Sequence, residues 1–184
     1  MNTDQPITHL GFIGVNLPRI ELNHFDEITW RQDQMDTHGQ TQAIFLRHWD
    51  REKMVVRRGP IVLKDFPRLK YYGNFVYDVL EHLGERYSFT DYAALITNLP
   101  AWSHIPRHKD TGRIFRLAHR IHVPIVTNPG VVFHCGDQTV HMERGCAYEI
   151  GNTNFEHAVD NHSPYDRYHL IVDLLARVAA LEAS

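Results

Sequence analysis

The chain has 184 residues, of which 43% are hydrophobic and 22% charged, with a formal net charge of −3. That length supports one domain with a sizeable core, and the near-balanced charge supplies no field that would gather nucleic acid or an anionic membrane. Two cysteines, Cys135 and Cys146, are too few for a secreted disulfide framework and are expected to be reduced thiols.

The opening stretch MNTDQPITHLGFIGVNLP has an acid where a secretory signal would be basic, and its apolar run covers only residues 10–15. No apolar run approaches the roughly 20 residues of a membrane-spanning helix. A cytoplasmic protein is expected. Next come two short strands, QAIFLRHW at 42–49 and GPIVLKDF at 59–66. The segment NFVYDVLEHLGERY then places Phe75, Val76, Val79, Leu80 and Leu83 on one stripe at helical spacing, which predicts a packing helix near 74–84. Asn74 would supply its N-cap and Gly84 its stop.

From Thr90 onward the pattern changes to short apolar segments punctuated by turns: YAALITNL, FRLAHRIHVPIV, VVFHC, TVHM, AYEI, HAVDN and YHLIVDLL. This spacing argues for an antiparallel sandwich or barrel rather than βαβ units. The expected fold is mainly β with flanking helices, a double-stranded β-helix (jelly roll, cupin-like). Residues 1–184 read as one domain, with a mixed N-terminal part over 1–90 and a metal-binding β core over 91–175.

The fourteen histidines prompt a search for metal ligands. His108 and Asp110 are two apart, so on an extended strand both side chains leave from one face. A further histidine from a distant strand would complete two imidazoles and a carboxylate, a set that suits Fe(II) and leaves positions open for a co-substrate and dioxygen. The pairs His24/Asp26 and His48/Asp50 have the same spacing, so context must choose among the three. That context is EHAVDNHSPYDRYHL. If HAVDN and RYHLIVD form a hairpin around 162–164, His157 falls opposite Arg167, and opposite residues in an antiparallel pair share a face. A guanidinium there could hold a carboxylate in a charge-assisted pair while the rest of the same molecule reaches the metal. Taken alone, Arg167 would read first as a rim charge paired with Asp166 or Asp173. Arg120 and His122 also share a strand face, which either lines a pocket or points to water, in which case Pro124 marks an edge strand.

In HKD at 108–110, RIHVPI at 120–125, YEIGNTNFEHAVDN at 148–161 and DRYHLIVD at 166–173, the chain resembles the aspartyl/asparaginyl β-hydroxylase family of Fe(II)/2-oxoglutarate dioxygenases. It looks closest to the small prolyl and amino-acid hydroxylase-like members. The resemblance spans about residues 97–175. It implies that His108, Asp110 and His157 are catalytic iron ligands and that Arg167 binds the distal carboxylate of 2-oxoglutarate. It places Arg120 and His122 beside that co-substrate, and Thr97 where some members carry a helping hydroxyl. The vertebrate-type aspartyl hydroxylases lack the carboxylate of the triad, whereas Asp110 is present here. The implied reaction uses Fe(II), 2-oxoglutarate and O2 to hydroxylate an aliphatic carbon of an amino acid or peptidyl residue, proline- or Asp/Asn-like, releasing succinate and CO2.

Trp102, Arg113, Arg31 and His38 are candidates for contacting that small-molecule amino acid or peptide substrate. Two other readings use the same ligands. One is a cupin-like metal-binding or sensor protein without turnover, which would have no use for a carboxylate-binding cation at Arg167. The other is a zinc-dependent hydrolase, which would need a general base beside the metal-bound water, with Glu149 or Glu156 as the candidates. Nucleophile-elbow, phosphate-loop and dinucleotide fingerprints are absent from the sequence.

Overall fold

The structure, a computed structural model, describes residues 3–26, 41–50 and 61–175. Among them are eleven strands: β1 (Ile7–Phe12), β2 (Gln42–Trp49), β3 (Leu63–Asp65), β4 (Asp91–Leu99), β5 (His104–His108), β6 (Ala118–Val126), β7 (Val131–Cys135), β8 (Gln138–Val140), β9 (Cys146–Ile150), β10 (His157–Asn161) and β11 (Arg167–Leu175). The α-helices among the described residues are α1 (Leu69–Gly84) and the short α2 (Arg113–Leu117), and Leu22–Asp26 form a 3-10 helix. None is long and apolar enough to cross a membrane.

The strands form a seven-stranded sheet in the order β1-β9-β6-β11-β4-β2-β3 and a four-stranded sheet in the order β5-β10-β7-β8. Every pair is antiparallel. One buried cluster joins Leu99, Tyr148 and Ile150 of the large sheet to Val131, Phe133, Cys135 and Val159 of the small one, so the two sheets face each other as a jelly roll. The opposite face of the large sheet packs on α1. There Ile44, Ile96, Ile121, Val123, Leu170, Val172 and Leu174 meet Phe75, Val76, Val79, Leu80 and Leu83 of the helix. Alternation assigns the faces, because successive residues on a strand point to opposite sides. In β6, Ile121 and Val123 belong to the layer under α1, and Arg120 and His122 turn inward.

Several expectations need correction. The helix begins at Leu69, shortly after Pro67, and Asn74 lies exposed inside it rather than at its N-cap. Gly84 is its last residue and has no positive φ, so the stop is not a left-handed glycine. Phe115, Arg116 and Leu117, read as the start of a strand, instead end α2. Pro124 lies in an interior strand, because β6 is flanked by β9 and β11. It is tolerated where pairing with β9 has ended and the register with β11 shifts between Tyr168 and His169.

The largest correction concerns the hairpin. β10 pairs with β5 and β7, whereas β11 pairs with β4 and β6, so the two strands lie in different sheets. The connection between them is held by the Asn161 side chain, whose amide donates to the carbonyls of Leu99, Pro100 and Tyr165 at 3.3, 3.0 and 2.8 Å. These bonds anchor the crossing where a two-strand turn was expected.

Candidate functional site

His108 ends β5 and is the Cα partner of His157, the first residue of β10. Their rings lie 4.2 Å apart, centroid to centroid. Asp110 stands just past the end of β5, where the backbone leaves the ladder and its N–H donates to the Asn152 carbonyl at 3.0 Å. One ligand atom from each of His108, Asp110 and His157 lies within 4.8 Å of the others, and this is the one such group found among the described residues.

The local chemistry suits a metal. His108 Nδ1 lies 2.7 Å from the Pro106 carbonyl, which makes Nδ1 the protonated nitrogen and leaves Nε2 as the lone-pair donor, 3.7 Å from Asp110 Oδ1. His157 is buried, its Nδ1 has no hydrogen-bond partner among the described residues, and burial pushes its pKa down to about 4, so the imidazole is neutral. Burial alone would raise the Asp110 carboxyl, but Arg120 beside it, helped by His157, the Asn152 amide and His108, holds it at about 2. Two imidazoles and one carboxylate are therefore grouped so that they could bind a divalent cation, and this donor set is the one that suits Fe(II) with open positions.

Arg120 donates from Nε and Nη2 to the two oxygens of Asp173 at 2.7 and 2.8 Å, and from Nη1 to Asp110 Oδ2. Its guanidinium carbon lies over the Phe115 ring, 4.6 Å from the ring centre. Farther along the same inner face, Arg167 is 2% exposed and donates from Nη2 to His169 Nδ1 at 2.6 Å. The rings of His122 and His169 are 5.9 Å apart. Burial, followed by the nearby Arg167 charge, holds both imidazoles well below their ordinary pKa. Neither ring nitrogen of His122 has a hydrogen-bond partner among the described residues, nor does His169 Nε2. Thr97, buried on β4, is the Cα partner of His169.

The structure thus gathers His108, Asp110 and His157, and sets Arg120, His122, Thr97 and Arg167 along the inner face of the large sheet. Arg167 reaches that interior from across the jelly roll, not from beside His157. Trp102 is 70% exposed at the end of β5 away from His108, so it does not cover the metal group. Arg113, partly buried, begins α2. Arg31 and His38 lie outside the described residues. The other two pairs serve different ends: His24 Nδ1 meets the Tyr72 hydroxyl at 2.9 Å, and Asp50 pairs with Lys64 at 3.6 Å. Neither base proposed for a hydrolase faces the metal group. Glu149 is taken by the Tyr87 hydroxyl at 3.0 Å and His119 Nδ1 at 2.5 Å, and Glu156 is exposed.

Sequence reasoning offered Asp173 only as a rim partner for Arg167, whereas it holds Arg120, and did not single out His169 or Asn152. Asp173 and His169 carried a readable signal: Arg167, His169 and Asp173 fall at alternate positions of an otherwise apolar strand, which makes its inward face polar. Asn152 carried none, because only tertiary structure brings it to Asp110.

The fold is a double-stranded β-helix, and its His–Asp–His group, which could hold a metal ion, lies at the end of one strand and the start of its neighbour. The aspartyl/asparaginyl beta-hydroxylase family model matches residues 18–177, and the chain belongs to that family. Among solved structures, a prolyl-4-hydroxylase from Pseudomonas putida is similar over 95% of this chain and 94% of its own, with a TM-score of 0.50 at 11% identity. A 2OG-Fe(II) oxygenase family oxidoreductase from Burkholderia pseudomallei is similar over 74% of this chain and 68% of its own, with a TM-score of 0.50 at 13% identity. At these identities the likeness is one of fold. No curated protein matches the chain.

Proposed function

We propose that the protein is an Fe(II)- and 2-oxoglutarate-dependent dioxygenase that hydroxylates an aliphatic carbon of an amino acid or peptidyl residue. The observation that carries this reading is the pairing, inside one jelly roll, of the His108/Asp110/His157 group with a buried arginine, Arg167, on the facing sheet. Membership of a hydroxylase family supports it. Bound at the triad, iron would couple the oxidative decarboxylation of 2-oxoglutarate, to succinate and CO2, with insertion of one oxygen atom of O2 into a C–H bond.

The side chains have distinct tasks in this reading. His108, Asp110 and His157 hold the metal from one side. Arg167 anchors the distal carboxylate of 2-oxoglutarate by a charge-assisted pair, with Thr97 and the neutral rings of His122 and His169 lining the space around it. Phe133, stacked 6.2 Å from the His157 ring, and Leu99 exclude water from the interior.

The test is turnover. The protein loaded with Fe(II) is given 2-oxoglutarate with free proline, free aspartate and asparagine, or short peptides containing them, and succinate is measured alongside the mass of each substrate. The proposal expects one substrate class to stimulate succinate release and gain one oxygen atom. Iron-loaded protein that releases no succinate above background with any of them would overturn it.

A further inference from the structure

We infer that Arg120, Asp173 and Asn152 are positioning residues that fix Asp110 as a one-oxygen ligand, so that the protein gives the metal three ligand atoms and not a fourth. The inference rests on the metal-binding reading above, and it gives Arg120 a task different from contacting the co-substrate.

A carboxylate beyond the end of a strand has two equivalent oxygens and a freely turning side chain. Left alone, it can swing to bind a metal through both oxygens and so fill one more coordination position. Asp110 is denied that freedom. Its Oδ2 accepts from Arg120 Nη1 and from Asn152 Nδ2, the latter at 2.7 Å. A carboxylate offers about two lone-pair sites per oxygen, so these two donors take up the whole of Oδ2. The remaining oxygen, Oδ1, is the one that lies 3.7 Å from His108 Nε2, on the side of the imidazole ligands. The Asp110 main chain is pinned as well, by its N–H bond to the Asn152 carbonyl.

The restraint also has a rigid support. Arg120 is gripped at Nε and Nη2 by Asp173, whose side chain has no exposed surface, and its guanidinium carbon sits over the Phe115 ring. A planar guanidinium bound at two nitrogens by one carboxylate keeps the direction of its third nitrogen. Asp173 sits on β11 and Arg120 on β6, paired directly across the ladder. The position of Asp110 is therefore referred to the central strands of the large sheet, although Asp110 itself belongs to neither sheet. Outer partners of this kind orient the metal's ligands, and replacing one typically lowers metal affinity about 10- to 100-fold.

The test uses Co(II) alone, without 2-oxoglutarate, on the wild-type protein and on Asp173→Asn, Asn152→Ala, Arg120→Met and Arg120→Lys. Affinity is measured by titration and coordination by the visible spectrum, which a purely structural role would leave unchanged. The inference expects Asp173→Asn, Asn152→Ala and Arg120→Met to weaken Co(II) binding by about 10- to 100-fold and to alter the spectrum, with Arg120→Lys intermediate. Variants that melt like the wild type and keep its affinity and spectrum would overturn it. X-ray absorption on the Co(II)-loaded wild type needs no variant: one carboxylate oxygen in the first shell is expected, and two would overturn the inference even if every substitution prevented folding. A wild type that binds Co(II) this way but never binds 2-oxoglutarate would sink the oxygenase reading and leave this inference standing.

Discussion

Along β11, Leu170, Val172 and Leu174 point to one side of the large sheet and pack beneath α1, whereas Arg167, His169 and Asp173 point to the other side. β6 divides in the same way, with Ile121 and Val123 outward and Arg120 and His122 inward. The outer face is held by apolar burial, which is favourable at each residue. The inner face buries charges and neutral imidazoles, and each of these is costly unless it is satisfied. One set of strands thus carries a stabilising layer and a functional layer, and substitutions on the two faces should fail differently.

The most severe way to probe this difference is to remove a ligand. His108→Ala or His157→Ala should abolish metal binding in a titration while circular dichroism stays that of the wild type. Loss of the fold together with the metal would mean that the inner face also carries stability. On the outer face, Leu170→Ala should cost about 2–5 kcal/mol in denaturant unfolding and leave the metal stoichiometry of the folded protein unchanged. Arg167→Ala should spare metal binding and weaken 2-oxoglutarate by about 2–5 kcal/mol, the usual cost of removing one partner of a buried charged pair. Unchanged co-substrate affinity would remove Arg167 from its assigned role.

Acid sharpens the contrast more gently. His157, His122 and His169 all have folded-state pKa values depressed below the ordinary 6.5, so the unfolded chain takes up protons first as the pH falls. The stability of the metal-free protein should therefore be undiminished by these groups above about pH 6.5 and decline below it, for His157 down to its folded value of about 4. Replacing His169 with Leu should flatten that decline. The smallest effect is expected at Trp102, outside both faces: Trp102→Ala should change stability by no more than about 0.5 kcal/mol and leave metal affinity unaltered.

The same two faces explain what could be read in advance. Strands such as VVFHC and HAVDN were legible because apolar alternation and flanking turns are local, and both fall where expected. His108 and Asp110 were legible as a pair, and the partner His157 through the motif around it. The sheet to which each strand belongs was not legible. Five residues between Asn161 and Arg167 can close a hairpin or cross from one sheet to the other, and the choice lies with the Asn161 amide and its distant carbonyl partners. The start of α1 was missed for a related reason: Asn74 resembles a cap, and only packing of Tyr72 and Phe75 against the sheet fixes the earlier turn. Asn152 and Asp173 act through contacts that span 42 and 53 residues of sequence.

The central claim, that this interior holds iron and 2-oxoglutarate together, is tested most directly by titrating the metal-free protein anaerobically with Fe(II) and then with 2-oxoglutarate. A visible metal-to-ligand charge-transfer band that saturates near one equivalent, and that requires His157, is the expected result. Iron bound at the triad with no band at any concentration of 2-oxoglutarate would contradict the account.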